Sequence, residues 1–223
     1  MARRRTYHHG NLRTAMLEKA LELVDELGPE AVSLREVARR VGVNHRAAYR
    51  HFEDKRALTA AIAEQGYLAL AVALEVSWAK SEKKAPRARV VALMDAYLQF
   101  ALESSARYRI TFGKRVNEDG RYPALEATAE RGFAVLMRAL AGMRATKASH
   151  EQVRDMGFSL WSLAHGYLQL VWVKRIRVRP ELTARYFREL AVPLLDGWEA
   201  DGRETRRLRS NPTGRDISPH RGP

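Results

Sequence analysis

A chain of 223 residues, 46% hydrophobic and 29% charged, is long enough to bury a sizeable core, either as one domain or as a small domain beside a larger one. Its 39 lysines and arginines against 26 aspartates and glutamates leave a formal charge of +13, which favours a polyanionic partner but is equally met by a basic solvated surface. The lack of cysteine excludes disulfides, thiol nucleophiles and cysteine-based zinc or iron-sulfur centres. No run approaches the roughly 20 uninterrupted apolar residues of a membrane span, and the basic start at Arg3, Arg4 and Arg5 leads into polar residues, so a cytoplasmic protein with no membrane partner is expected.

Strand signals are nearly absent, and the pattern predicts an all-α fold of about nine helices. The first helix is expected from about Asn11 to Leu27, with Leu12, Met16, Ala20, Leu23, Val24 and Leu27 on one face, stopped by Gly28 and Pro29. Ser33 followed by Glu36 has the spacing of a capping box, and the short helix it opens turns Leu34, Val37, Ala38 and Val41 inward before Gly42. Asn44 is a good N-cap for a further short helix, about His45 to His51, closed by Phe52.

A long alanine-rich helix from about Lys55 to Ala79 then links two domains. A polar loop, Lys80 to Arg89, contains Pro86. An amphipathic helix follows through Val90, Leu93, Met94, Tyr97, Leu98 and Ala101, then a shorter piece, about Ser105 to Phe112, and a break from Gly113 to Arg121. Three more helices are expected, at about Pro123 to Met143, Ser149 to Arg177 and Glu181 to Glu199, with Pro193 able to kink the last. From Asp201 onward the chain has too few large apolar residues to offset its ordering entropy and reads as a disordered basic tail. The expected organisation is a domain over 1–55 with a basic N-terminal arm, a helical domain over 56–200 and a tail over 201–223.

Two short helices joined by a tight glycine turn make a helix-turn-helix candidate, in which the second helix projects the side chains near its N-terminus into the major groove. In SLREVARRVGVNHRAAYRHF, the residues Leu34, Val37, Ala38, Val41, Val43, Ala48 and Phe52 can form a small core with Leu12, Met16, Leu23 and Val24. That leaves Asn44, His45, Arg46, Ala47, Tyr49, Arg50 and His51 to divide between groove and solvent. For Arg46 the alternative is a solvated arginine, for Tyr49 core packing with an exposed hydroxyl. The arm at Arg3 to Arg5 is either a minor-groove contact or a solubilising end.

The run from Tyr7 to about Tyr67, centred on LREVARRVGVNHRAAYRHFEDKRAL, resembles the N-terminal DNA-binding domain of the TetR/AcrR family of bacterial regulators. The shared pattern is Gly-Val, a short polar stretch, Tyr-x-x-Phe and Lys-x-x-Leu. The resemblance implies that Arg35 reaches the groove edge, that His45, Arg46 and Ala47 occupy base-reading positions, and that Tyr49, His51 and Lys55 contact phosphate. It departs from the common pattern at Arg46 and Ala47, where a small residue followed by Ser or Thr is frequent. It further implies a homodimer on a palindromic double-stranded operator, repression, and release by a small-molecule effector.

In the C-terminal half, Phe158 to Val173 resembles the W-x-x-x-H-G segment of one subgroup of the family. Gly166 is expected to allow a close helix contact, and Tyr97, Phe100, Phe112, Phe133, Phe158, Trp161 and His165 either line a pocket for a hydrophobic or aromatic ligand or simply build the core. The last two helices are the expected dimer interface. Catalysis is not expected: Arg154 replaces the second histidine of a zinc-protease helix begun by His150 and Glu151, no Glu-x-x-His pair is present, and Gly157 to Ser159 lacks the closing glycine of a hydrolase elbow. No metal or other cofactor is expected. The remaining alternative is a non-specific architectural DNA-binding protein.

Overall fold

The computed structural model describes residues 9–114, 116–117, 119–143 and 148–200, so the expected N-terminal arm and the tail from 201 lie outside the described residues. Among those described are nine α-helices, two 3-10 turns and no strand. The helices are α1 (His9–Leu27), α2 (Leu34–Val41), α3 (His45–Tyr49), α4 (Lys55–Lys80), α5 (Pro86–Glu103), α6 (Ser105–Thr111), α7 (Pro123–Met143), α8 (His150–Trp172) and α9 (Thr183–Ala200). The chain forms two compact units. The first takes residues through Leu68 together with Ser104–Thr128, and the second takes Ala69–Glu103 and the residues from Ala129. The expected boundary at residues 55 and 56 is the first turn of α4, whereas the first unit continues to Leu68 and recruits α6.

In the first unit the helix ends follow from local chemistry. Gly28 takes φ 87°, a left-handed conformation that costs a glycine little, and Pro29 opens a 3-10 turn, Pro29–Ala31, that hydrophobic spacing does not reveal. Ser33 Oγ accepts from the Glu36 amide at 3.2 Å and starts α2, but only that half of the capping box forms, because the Glu36 carboxylate goes to Arg39 and Arg40. Gly42, at φ 81°, ends α2, and Asn44 Oδ1 accepts from the Arg46 amide at 2.9 Å to start α3. Leu12, Met16, Leu23, Val24, Leu34, Val37, Ala38, Ala48 and Phe52 are buried as predicted, with Val41 and Val43 partly so.

Helix α6 packs on α1, where the Arg109 guanidinium donates to Val24 O and Asp25 Oδ1, each at 3.1 Å. Gly66 admits Thr111: a Cβ there would lie 1.9 Å from Thr111 Oγ1. By length and composition α4 is apolar enough to cross a membrane, a property of its overall composition rather than of an uninterrupted run, since Glu64 and Glu75 interrupt it. Half of its most apolar stretch is buried inside the protein, as in the core helix of a globular fold.

The second unit departs from expectation at two helix ends. Helix α5 starts at Pro86, not after the predicted loop, because proline at the first helical position loses no hydrogen bond. Helix α8 begins on a complete capping box, Ser149 with Gln152, and stops at Trp172, five residues before the predicted Arg177. Its end is a Schellman closure: the Lys174 amide donates to Val171 O at 3.0 Å and the Arg175 amide to Leu170 O at 2.9 Å, with Lys174 at φ 58°. A lysine stands where glycine usually signals such a stop, so the sequence hid it.

Antiparallel packing of α9 on α5 sets the rest. Arg87 reaches Asp196 at 2.6 Å and Glu199 at 2.7 Å, and Arg188 reaches Asp95 at 3.1 Å. The buried Tyr167 hydroxyl donates to Thr183 O at 3.0 Å, tying α8 to the start of α9 beside the fully buried Phe187. Pro193 lies inside α9.

Candidate nucleic-acid interface

The first unit builds its candidate surface from one side of α2 and α3. Ala48 is buried and fixes the rotation of α3, because its methyl group and the Phe52 ring fill the core against α1 and α2. With that face committed, the helical repeat turns His45, Arg46, Tyr49 and Arg50 outward. Tyr49 is 48% exposed, so its ring is not a core element. Arg35, in the first turn of α2, is also exposed, as are Asn44 and Lys55.

Ala47 and His51 are half-buried, and Ala47 packs partly against the core. Two of the predicted contact residues carry local duties as well. Asn44 commits its carbonyl oxygen to the α3 cap. The Lys55 ammonium donates to Pro29 O at 3.4 Å and Glu30 O at 3.2 Å, which anchors the start of α4 to the 3-10 turn and leaves one of its three N–H donors. The amides of the first turn of α4 are already served in part: Asp54 Oδ1 accepts from the Ala57 amide at 2.7 Å.

Sequence reasoning missed Arg13. Its guanidinium lies over the Phe52 ring, 5.1 Å from the centroid, so α1 brings an exposed cation to the C-terminal end of the α3 segment. The only signal was an arginine on the polar face of an amphipathic helix. Ion pairs link α2 to itself and to α1 beside the surface. Hydrogen bonds from Arg39 and Arg40 lower the Glu36 carboxyl from 4.5 to about 2, and Arg40 also reaches Glu26 on α1 at 2.7 Å. Arg56, whose guanidinium pairs with Asp119 and donates to Val116 O at 2.6 Å, fastens the loop before α7 to the first turn of α4.

The seven predicted ligand-lining residues do not share one unit. Phe112 belongs to the first, packed edge-on against Tyr67 at 5.3 Å and beside Tyr108 at 4.6 Å. Tyr97, Phe100, Phe133, Phe158, Trp161 and His165 belong to the second. There Phe133 stacks on Phe158 at 5.3 Å and lies 6.3 Å from Trp161. Burial pushes the His165 imidazole below its ordinary pKa and so favours the neutral ring. The glycine that permits a close approach is Gly157, not the predicted Gly166. A Cβ at 157 would lie 3.0 Å from Phe133 Cζ, whereas nothing lies within 4 Å of one at 166. Among the described residues no group of three or more His, Asp or Glu side chains is arranged to hold a metal ion.

A capped two-helix reader with a cationic, aromatic outer face on one compact unit, joined to a separate helical unit, defines the class of helix-turn-helix transcriptional regulators. The family description "Bacterial regulatory proteins, tetR family" matches residues 16–62, and "Tetracyclin repressor-like, C-terminal domain" matches 90–193. The chain belongs to the TetR family of DNA-binding transcriptional regulators. It is 46% identical over 52 residues to the class C tetracycline repressor protein of Escherichia coli, a match spanning 23% of this chain and 24% of that protein. Among solved structures, a Rhodococcus sp. RHA1 protein of unknown function is 26% identical, with a TM-score of 0.69 over 87% of this chain and 98% of its own. A TetR family transcriptional regulator from Thermus thermophilus, at 22% identity and a TM-score of 0.59 over 78% of this chain and 95% of its own, shares the fold.

Proposed function

We propose that the protein is a cytoplasmic, sequence-specific repressor that binds a palindromic double-stranded operator as a homodimer and is released by a small hydrophobic or aromatic effector. The observation that carries the reading is the division of α3 by burial. Ala48 is inside, while His45, Arg46, Tyr49 and Arg50 are outside at the start of a capped helix. Arg46 and Arg35 suit guanine edges or phosphates, His45 and Ala47 the remaining base contacts, and Tyr49, Arg50, His51 and Lys55 the backbone. Repression is supported by the name of the Escherichia coli relative, whose match covers this end of the chain only. The protein acts by binding rather than by catalysis.

Dimerisation is supported by apolar side chains left on the last two helices. Leu170, Tyr186, Leu190 and Val192 are between 37% and 43% exposed, and Gly166 has open space above it. A symmetric dimer would place two copies of α3 about 34 Å apart, one helical turn of DNA, and an effector favouring another spacing would lower affinity. The stacked Phe133 and Phe158, with Trp161 and His165, suit a planar effector.

Selection of bound genomic fragments by the full chain, followed by footprinting, tests the reading. The expected result is a site of two inverted half-sites. Binding with equal affinity to every duplex would favour the architectural reading that the charge of +13 suggests, and a monomer at micromolar concentration in sedimentation would refute the dimer.

A further inference from the structure

The described arginines of the first unit divide by partner. Arg39 and Arg40 pair with Glu36, Arg56 with Asp119, Arg109 with Asp25 and, at 3.8 Å, Arg121 with Glu53. Arg107 is half-buried on α6. The exposed arginines that meet no carboxylate among the described residues are Arg13, Arg35, Arg46 and Arg50. A guanidinium already neutralised by a carboxylate has less to offer a phosphate. Of those left unpaired, all but Arg13 lie on the α2 and α3 surface given to DNA above.

Helix α1 gives Arg13 no local reason to be basic. It stands near the N-terminal end of the helix, the positive end of the dipole, where an anion is stabilised and a cation is not. The first turn of α1 holds no acidic residue to offset it. Its tertiary contact is with the end of the α3 segment, where the guanidinium lies over the Phe52 ring, 5.1 Å from the centroid. Phe52 is buried in the core that also holds Leu12 and Met16, so the ring is fixed. The His51 and Phe52 amides both donate to Ala48 O, at 3.0 Å and 3.1 Å. The chain is therefore still tightly wound at Phe52, and Arg13 meets it within about one helical turn of Tyr49 and Arg50. A cation–π contact holds a guanidinium through its charge and leaves its N–H donors for an acceptor.

From these observations we infer that Arg13 is a further phosphate contact, reaching from α1 to the DNA backbone beside the C-terminal end of α3 and held there by Phe52. The inference rests on the DNA-binding reading above. A recognition helix meets base edges with its N-terminal residues, so side chains at its C-terminal end stand nearer the sugar-phosphate backbone than the bases. A guanidinium there grips phosphate through parallel N–H donors and adds affinity without sequence information. The competing role, covering the Phe52 ring, calls only for an unbranched apolar stem, which methionine also supplies. The two roles therefore separate by charge.

The test titrates full-length wild type, Arg13→Gln and Arg13→Met with the selected site and with an unrelated duplex of equal length, at several salt concentrations. Both substitutions are expected to reduce the slope of log affinity against log salt by about 0.9 per protomer, with the preference for the selected site unchanged. From about 50 to 200 mM salt, each variant should therefore lose about 3.5-fold less affinity per protomer than wild type. Arg13→Lys, which keeps the charge, is expected to retain most of the slope. Arg13→Met keeps a cover on Phe52 and gives the same readout should Arg13→Gln fold poorly. A wild-type slope in Arg13→Met, while Arg46→Ala still relaxes base preference, overturns the inference and leaves the functional reading intact. A loss confined to the selected site also overturns it, because Arg13 would then read a base. Wild type that binds neither duplex overturns both.

Discussion

The two units are built by different kinds of instruction. In the first, short helices begin and end on side chains that announce themselves: Ser33 and Asn44 as N-caps, Gly28 and Gly42 as stops. In the second, long helices are positioned by contacts far apart in the chain, such as Tyr167 with Thr183 and Arg87 with Asp196. Local capping fixes the orientation of a short helix within a few residues, whereas the second unit acquires its geometry only when remote helices meet. This is why the candidate DNA reader is legible early and the arrangement of the second unit is not.

Breaking the long-range side of this comparison gives the largest effect. Phe187→Ala empties a fully buried site beside Tyr167 and is expected to destabilise the second unit by about 3–5 kcal/mol in chemical denaturation. Gly66→Ala tests whether the first unit also depends on a non-local fit. The new methyl group collides with Thr111, and an expected loss of about 1–3 kcal/mol should be partly recovered in the Gly66→Ala, Thr111→Ala double variant. If the single change is neutral, the approach of α6 to α4 is looser than the contact implies.

The reader itself is sharpened by Arg46→Ala, expected to reduce discrimination at one base position by about 1–3 kcal/mol in competition binding while leaving the melting temperature unchanged. A uniform loss across all sequences would instead assign Arg46 to phosphate. Smaller still is Lys174→Gly. Removing the side chain from a left-handed position is expected to stabilise the second unit by about 0.5–1 kcal/mol, measured by the denaturation midpoint.

The last prediction concerns pH. Because hydrogen bonds from Arg39 and Arg40 depress the Glu36 carboxyl to about 2 from its ordinary 4.5, its stabilising effect is present above pH 4.5 and is lost as the pH falls towards 2. The difference in thermal midpoint between wild type and Glu36→Gln should therefore shrink over that interval. A difference that stays constant through acid would show that Glu36 acts through packing.

Much of the candidate DNA surface was legible because helical period and capping chemistry act over one or two turns. Once Ala48 and Phe52 are assigned to the core, Arg46, Tyr49 and Arg50 are left outside by geometry. Arg13 was not, since its relevance depends on where α1 lies against Phe52. Nor was the separation of Phe112 from the other aromatic candidates, because chain separation does not say which unit a side chain joins. Gly157 and Gly166 look alike in a helical sequence, and only the position of Phe133 distinguishes the crowded one from the open one.

By itself the sequence determined an all-helical chain, the caps of its reader, the buried face of α2 and α3, and a strong excess of positive charge. These depend on residue type and on spacings within a few residues, so the linear order of residues contains them. Tertiary structure alone decided that α6 joins the first unit, that Phe112 parts from the other aromatic candidates, and that Phe133 crowds Gly157. Each of those depends on backbone conformation and on partners remote in sequence, whose burial offsets a local choice that residue preference does not reveal.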